Sequence, residues 1–579
     1  MAQTVAEQIV QMLRAAGVER IYAVTGDSLN HLNDAVRRDG NIQWIHVRHE
    51  ETAAYAAGAE AQLTGRIACC AGSCGPGHVH LINGLYDAHR SGAPVLAIAS
   101  AIPSREFGSG YFQETNIHKL FDDCSYYCEM ATTAAQAPRM LQMAMQTAIS
   151  RKGVAVFGLP GDVSELDAEK GESSHTVFPT LSGIIPSAGE LSALADTLNS
   201  SEKVTIYCGI GATGAHSEIL ALAKALQAPV GYSFRGKMAV QHNNPFEVGM
   251  TGLLGLPSAY HAMHHADSLL LLGTDFPYTP FLPDNVRIIQ VEAQPERLGR
   301  RAHLHQGLHG TVRETIAALL PLIQPKTSRD FLDNELKLYA KVKDRLQSYV
   351  KDAGDENKIH PEYVAATINE KAPHDAIFTV DTGMTCVWAA RYLDATANRE
   401  LLGSFNHGSM ANALPQAIGA ALSAPERAVV ALCGDGGLSM TTGDLATISQ
   451  YQLPVKIIVF NNRSLGMVKL EMEVAGLPDW QTDMHNPDFA MLAQAYGLPG
   501  ITVSQPDQVT AAISNAFTQP GPVLLNIMTD PNALAMPPKI EFKQVRGMAA
   551  SMTKLMLNGE FEEVWETIKS NIRHAKELL

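Results

Sequence analysis

Nowhere in this chain do about 18 apolar residues run unbroken, so no segment reads as a membrane-spanning helix and any membrane contact has to be peripheral. No long Lys/Arg block stands out and the net charge is −15, which argues against nucleic acid as a main partner. There is no paired CxxC. The eight cysteines are scattered, and in a chain this large they read as reduced cytosolic thiols rather than disulfides or zinc ligands. Cys124 and Cys128 are expected to share a helix face. The first residues, MAQTVAEQIVQMLRAAGV, lack an apolar signal core and read as the first helix of the fold.

What the chain does have is length and a core. With 579 residues, 46% hydrophobic, it should hold about three or four domains. The first ~180 residues alternate strand-like runs (Arg20 to Val24, Ile67 to Cys70, Pro94 to Ala99) with helical ones (Glu51 to Leu63, His80 to His89). Such alternation means a parallel sheet covered on both faces. A polar stretch over 165–185 reads as a linker. A second unit contains Val204 to Cys208, Ser268 to Gly273 and Arg287 to Glu292, and ends near Lys326. A charged helical stretch, Arg329 to Lys351, leads to a third unit with strands at Ala376 to Val380, Val429 to Leu432 and Val523 to Ile527. The fold class is therefore α/β: three doubly wound parallel-sheet domains plus a C-terminal helical tail, divided at 1–182, 183–335, 336–530 and 531–579.

The sharpest chemical signal is Cys433-Gly434-Asp435-Gly436-Gly437, which ends one hydrophobic run, followed by Phe460-Asn461-Asn462, which ends another. Asp435 offers a carboxylate and Asn462 an amide carbonyl, hard oxygen ligands of the kind magnesium takes beside phosphate oxygens. Ser464 could add a backbone carbonyl, and the glycines let the backbone approach a diphosphate. Taken singly, Gly-Asp-Gly is a common turn and Asn-Asn a common strand end. Far upstream, Arg48-His49-Glu50-Glu51 opens an alanine-rich stretch. Acids in a first turn are ordinary partners of the helix dipole. Beside Asp435 and Asn462, however, Glu50 reads as the acid that shares a proton with the aminopyrimidine of thiamine diphosphate, whose reactivity lies at its thiazolium carbon. Asn406-His407-Gly408-Ser409-Met410 precedes a small-residue helix, Ala411 to Ala421. There Met410 could hold the cofactor bent and the Gly408 carbonyl could accept its amino hydrogen, although methionine more often simply fills a core.

Cys208-Gly209-Ile210-Gly211-Ala212-Thr213-Gly214 is a GxGxxG after a strand, but no acid follows about 20 residues on, so it does not read as an NAD fingerprint. Thr251-Gly252-Leu253-Leu254, Thr274-Asp275-Phe276-Pro277-Tyr278 and strand-ending Glu292 suit a flavin dinucleotide lying across strand ends. In the tail, Phe561, Val564, Trp565, Ile568, Ile572, Ala575 and Leu579 recur at helical steps. Trp565, Lys569, Arg573 and Lys576 suit a lipid interface, while Glu560, Glu562, Glu563 and Glu566 oppose one and leave packing on the protein body as the alternative.

With these residues in view, the chain resembles the thiamine-diphosphate enzymes of the pyruvate oxidase and acetolactate synthase group, and within it the bacterial quinone-dependent, FAD-containing pyruvate dehydrogenases. The stretches that carry the resemblance are VTGDSLN, RHEE, AGSCGPGHVHLINGL, GSGYFQET, VGMTGLLG, LLGTDFPY, LLGSFNHGSMANALPQAIGA and CGDGG. The resemblance implies a pyrimidine-binding domain, a central FAD-binding domain and a diphosphate-binding domain, assembled as a homotetramer (a dimer of dimers) with each site shared between subunits. It implies Glu50 as the activating acid, and Asp435, Asn462 and Ser464 as holders of Mg2+. Asn406, His407, Gly408, Met410, Asp435, Gly436, Gly437 and the run Asn462, Arg463, Ser464, Leu465, Gly466, Met467, Val468 would contact thiamine diphosphate. Phe112, Gln113 and Met467 would act near the reacting carbon, and Thr251 to Leu254, Thr274 to Tyr278 and Glu292 would touch FAD. Met467 stands where relatives carry a mobile aromatic, and Glu292 where they carry the shorter aspartate. The implied reaction is oxidation of pyruvate to acetate and carbon dioxide, with electrons passed to a membrane quinone. The implied place is the cytoplasm, peripheral on the inner face of the cell membrane, with the tail on phospholipid. A phosphate- and oxygen-dependent oxidase making acetyl phosphate, an acetolactate-type carboligase and a non-enzymatic flavoprotein scaffold remain as alternatives.

Overall fold

The two longest strands of the first sheet, Val95–Ala101 and Val154–Pro160, are laid down by runs of mostly apolar residues and are buried along their whole length, as strands covered on both faces are. The computed structural model describes residues 3–169, 176–178, 180–355 and 358–533. The first sheet comprises Arg20–Ala23 (β1), Gln43–His46 (β2), Ala68–Gly72 (β3), Val95–Ala101 (β4), Tyr127–Met130 (β5) and Val154–Pro160 (β6), all parallel, in the order β2-β1-β3-β4-β6-β5. The expected shared helix face of Cys124 and Cys128 is not formed. Cys124 ends a 3-10 turn, Asp122–Cys124, and Cys128 lies within β5, where the sequence Tyr126-Tyr127 favours an extended edge strand beside β6.

The second sheet holds Val204–Cys208 (β7), Val230–Tyr232 (β8), Glu247–Met250 (β9), Ser268–Leu272 (β10), Arg287–Glu292 (β11) and Gln306–His309 (β12), in the parallel order β12-β11-β10-β7-β8-β9. The Asp330–Tyr349 helix follows, with Leu332 buried in the core of this unit. A two-stranded antiparallel pair, Gly354–Asp355 (β13) and Lys358–Ile359 (β14), leads to the third sheet. That sheet contains Ile377–Val380 (β15), Glu400–Gly403 (β16), Val429–Gly434 (β17), Val455–Asn461 (β18), Gly500–Val503 (β19) and Val523–Met528 (β20), in the order β16-β15-β17-β18-β20-β19, again all parallel. Three six-stranded parallel sheets with helices are thus the observed α/β architecture. The amphipathic tail expected over 531–579 lies, from residue 534 onward, outside the described residues.

The strand order reverses between β1 and β3, between β7 and β10, and between β15 and β17. In open parallel sheets, ligands bind in the crevice at such reversals, beyond the carboxyl ends of the strands. The first and third domains also share one apolar core, built along the Glu50–Thr64 and Ala413–Ser423 helices. At Gly419 that contact is backbone on backbone: a Cβ added there would stand 2.1 Å from the Ala56 carbonyl oxygen. The alanine-rich sequences therefore serve close approach rather than side-chain interlock.

Candidate active site

Glu50 begins the helix that follows β2, capped by His49, whose Nδ1 accepts the Glu51 amide. The Glu50 side chain is buried at 7% exposure, with His80 Nδ1 2.9 Å from its Oε2. Its Oε1 points past Gly77, in the short helix after β3. Gln113 belongs to the same half-site: its Oε1 accepts the Cys74 thiol at 3.2 Å, next to Gly75. Phe112 beside it stands 79% exposed. A cavity of about 480 Å³ opens alongside, between Phe107, Tyr111, Gln113 and Thr115. The first domain thus brings Glu50 and Gln113 to the same end of its sheet, and leaves Phe112 projecting from it.

The second half-site lies at the carboxyl ends of β15, β17 and β18. Asp435 is 3% exposed at the start of a short helix. Its Oδ1 accepts the Gly436 amide, and its Oδ2 accepts the Arg463 amide at 2.8 Å and the Asn486 side-chain amide at 2.7 Å. Burial pushes the Asp435 carboxyl above its ordinary value, against the pull of these donors. Asn462 Oδ1 accepts the Ser464 amide. The turn is pinned by Leu465 N to the Thr482 carbonyl and by Met484 N to the Arg463 carbonyl, and neither bond uses the Ser464 carbonyl. The space above Gly436 is closed by Met410, Leu465 and Met484.

Gly437 lies against Asp381, the residue after β15: a Cβ there would meet Asp381 Oδ2 at 2.2 Å. Asp381 is buried and accepts the amides of Ala413 and Gly434. Burial raises its carboxyl to about 7, and those amides act in the opposite sense. Sequence reading missed Asp381 and Asn486. The only signal for the first was a polar Asp-Thr-Gly after a buried strand, and nothing local marked the second.

These residues fit a magnesium diphosphate. Among the described residues no group of three His, Cys, Asp or Glu side chains is arranged to hold a metal. A divalent ion at Asp435 would therefore take most of its oxygens from elsewhere, as magnesium does beside phosphates. Asp435, in the turn after β17, is brought by the Arg463 amide against the turn after β18 that carries Asn462 and the Ser464 carbonyl, and the Ser464 hydroxyl is buried there without a partner.

The other expected cofactor contacts are distributed unevenly. Gly408 is exposed at the mouth, and Val468 faces outward from the Gly466–Val474 helix, where Met467 is half-buried against the third core. The Asn406 side chain donates to the Arg90 carbonyl, and His407 is bonded to Asn83 and stacked on Tyr86 at 5.4 Å. Those two side chains therefore sit on the seam with the first domain of the same chain.

In the middle domain, Gly209 and Gly211 follow β7, Thr274 to Tyr278 follow β10, Thr251 to Leu254 follow β9, and Glu292 ends β11. All sit at carboxyl ends around the reversal between β7 and β10. The Thr251 hydroxyl is buried without a partner, and Glu292 is buried with its carboxyl raised by that burial. These are features of a dinucleotide cradle, and they fit FAD. Asp275 instead pairs with Arg300 and Arg301, and Phe276 packs inward on Tyr207. The Leu254 carbonyl accepts Arg391 Nε, and Phe234 packs on Phe405 with ring centroids 4.5 Å apart. The middle cleft thus abuts the helix that leads out of the Asp381 turn.

Three family models match the chain: the N-terminal thiamine pyrophosphate (TPP) binding domain over residues 3–120, the central domain of the thiamine pyrophosphate enzymes over 191–319, and their C-terminal TPP binding domain over 381–527. Among curated relatives, the putative thiamine pyrophosphate-containing protein YdaP of Bacillus subtilis (strain 168) is 35% identical over 97% of each chain. The pyruvate oxidase of Lactiplantibacillus plantarum is 32% identical over 90% of this chain and 87% of its own. The large subunit of acetolactate synthase isozyme 2 of Escherichia coli (strain K12) is 29% identical over 91% of this chain and 95% of its own.

Proposed function

The chain belongs to the thiamine pyrophosphate enzymes, and on that premise we propose that it oxidatively decarboxylates pyruvate to acetate and carbon dioxide and hands the electrons to a membrane quinone. The observation that carries this reading is a second cradle, around Thr251, Thr274 and Glu292, in the same chain as the Glu50 and Asp435 half-sites. Its likeness over 90% of its length to a pyruvate oxidase supports the substrate.

Bound thiamine diphosphate supplies a carbon nucleophile and an electron sink for losing carbon dioxide from a 2-oxo acid, and bound FAD a two-electron acceptor. Glu50 Oε1 would hold a proton at the pyrimidine ring nitrogen, in a buried place where such a bond is strengthened. Asp435, Asn462 and the Ser464 carbonyl would hold the magnesium ion. Met410, Leu465 and Met484, which close the space above Gly436, would give the bound diphosphate an apolar wall. Glu292 and Thr251 would take polar groups of FAD. Phe112, exposed beside Gln113, is free to enter a neighbouring subunit's site, which makes a homotetramer of paired dimers part of this reading. Attachment of the tail to phospholipid, on the inner face of the cell membrane, is the corresponding proposal for location.

Anaerobic titration of the purified flavoprotein with pyruvate tests the reading. Bleaching of the flavin, reversed by a soluble quinone, supports it. Reversal by air alone with phosphate-dependent acetyl phosphate selects the oxygen-using oxidase. An unbleached flavin with acetolactate as product selects the carboligase, the second reading favoured by the acetolactate synthase relative.

A further inference from the structure

Buried Glu50 has to exchange protons, yet it has little direct contact with water. Its two carboxylate oxygens have different surroundings. Oε1 lies 3.3 Å from where a Gly77 Cβ would stand, beside the Ser73 hydroxyl, and a side chain on Gly77 would crowd it. Oε2 is engaged by His80 Nδ1 at 2.9 Å, and the His80 side chain is 44% exposed. The imidazole is held in plane by His49, stacked on it with centroids 4.5 Å apart and rings 24° from parallel. His49 is itself fixed, because its Nδ1 accepts the Glu51 amide. The Glu51 carboxylate is taken by Asn83 and does not compete for His80. A half-exposed, oriented imidazole thus bridges a buried carboxyl and solvent.

We propose that His80 is the proton relay of Glu50, a positioning residue acting through it; this rests on the proposed role of Glu50 at the cofactor's ring nitrogen. Solvent delivers a proton to Nε2. Nδ1 passes its proton to Oε2, and the proton on Oε1 passes to the ring nitrogen; the reverse sequence returns it. No electrons move, and the one proton lost by solvent is the one gained by the ring.

The test uses the full chain loaded with magnesium and thiamine diphosphate. Hydrogen–deuterium exchange at the cofactor's reactive carbon is read by quench and NMR, and cofactor affinity by fluorescence titration. His80→Phe should slow exchange roughly 10²-fold or more, the ordinary contribution of one positioned acid–base group, with affinity close to that of the parent. Added imidazole should restore part of the rate. His80→Gln keeps a hydrogen-bond donor at Oε2 but cannot relay, so it should be as slow as His80→Phe. Parental exchange in His80→Gln, or no rescue of His80→Phe by imidazole, overturns the relay. Glu50→Gln separates the two readings. Unchanged exchange in Glu50→Gln removes the role of Glu50 and the relay with it. Slow exchange in Glu50→Gln with fast exchange in both His80 variants removes the relay alone.

Discussion

The Asp435 carboxylate accepts the Arg463 amide at 2.8 Å, so the turn after β17 and the turn after β18 are tied together at one corner. Replacing Asp435 by Ala removes both the charge for magnesium and this lock. Affinity for thiamine diphosphate should fall roughly 10–100-fold, as expected for losing a charged hydrogen-bonding group. Fluorescence titration with and without EDTA checks it: the chelator should weaken binding to the parent chain and change little in Asp435→Ala.

Glu50→Gln should lower pyruvate turnover by roughly 10²–10⁴-fold, the usual span for a general acid–base group. The circular dichroism spectrum and melting temperature should stay near those of the parent. Near-normal turnover would reject the assignment.

Asp87 is buried where the three domains meet. Gln416 donates to its Oδ2 at 3.0 Å, and Arg235 lies close enough to act on its charge. Burial raises its carboxyl to about 6. Between an unfolded value of about 3.9 and that folded value, the native state holds the extra proton. The contribution of Asp87 to stability is therefore fully present below about pH 3.9 and fades as pH rises toward about 6. Asp87→Asn cannot titrate. Its melting temperature should gain on the parent's between pH 4 and 6 and then run parallel, a difference readable by scanning calorimetry; parallel curves across the whole range would refute the burial effect.

Gly419→Ala should destabilise the apo-protein by about 1–3 kcal/mol, as overpacking does, because the added methyl meets the Ala56 carbonyl. Urea denaturation followed by fluorescence measures the shift in midpoint.

Glu292→Ala should loosen FAD roughly 10–100-fold, by loss of a charged acceptor. Flavin content per chain after gel filtration reads this directly, and retention of full flavin would remove Glu292 from the cradle.

Much of this was legible in the amino acids. Continuous apolar runs marked the buried strands, and Gly-Asp-Gly and Asn-Asn marked the ends of two of them, where Asp435 and Asn462 stand. Asp381, Asn486 and His80 were not legible. Each meets its partner only through strand order or a loop return: Asn486 reaches Asp435 from 51 positions away, and His80 reaches Glu50 from 30. Cys124 and Cys128 misled because a four-residue spacing suits a helix, whereas pairing beside β6 fixed the backbone of Cys128.

Where Gly419 rests on Ala56, main chain touches main chain, with no cushion of side chains to slide over. Parting the two outer lobes of the chain would break this seam, whereas the exposed arm carrying Phe112 could shift and leave it intact.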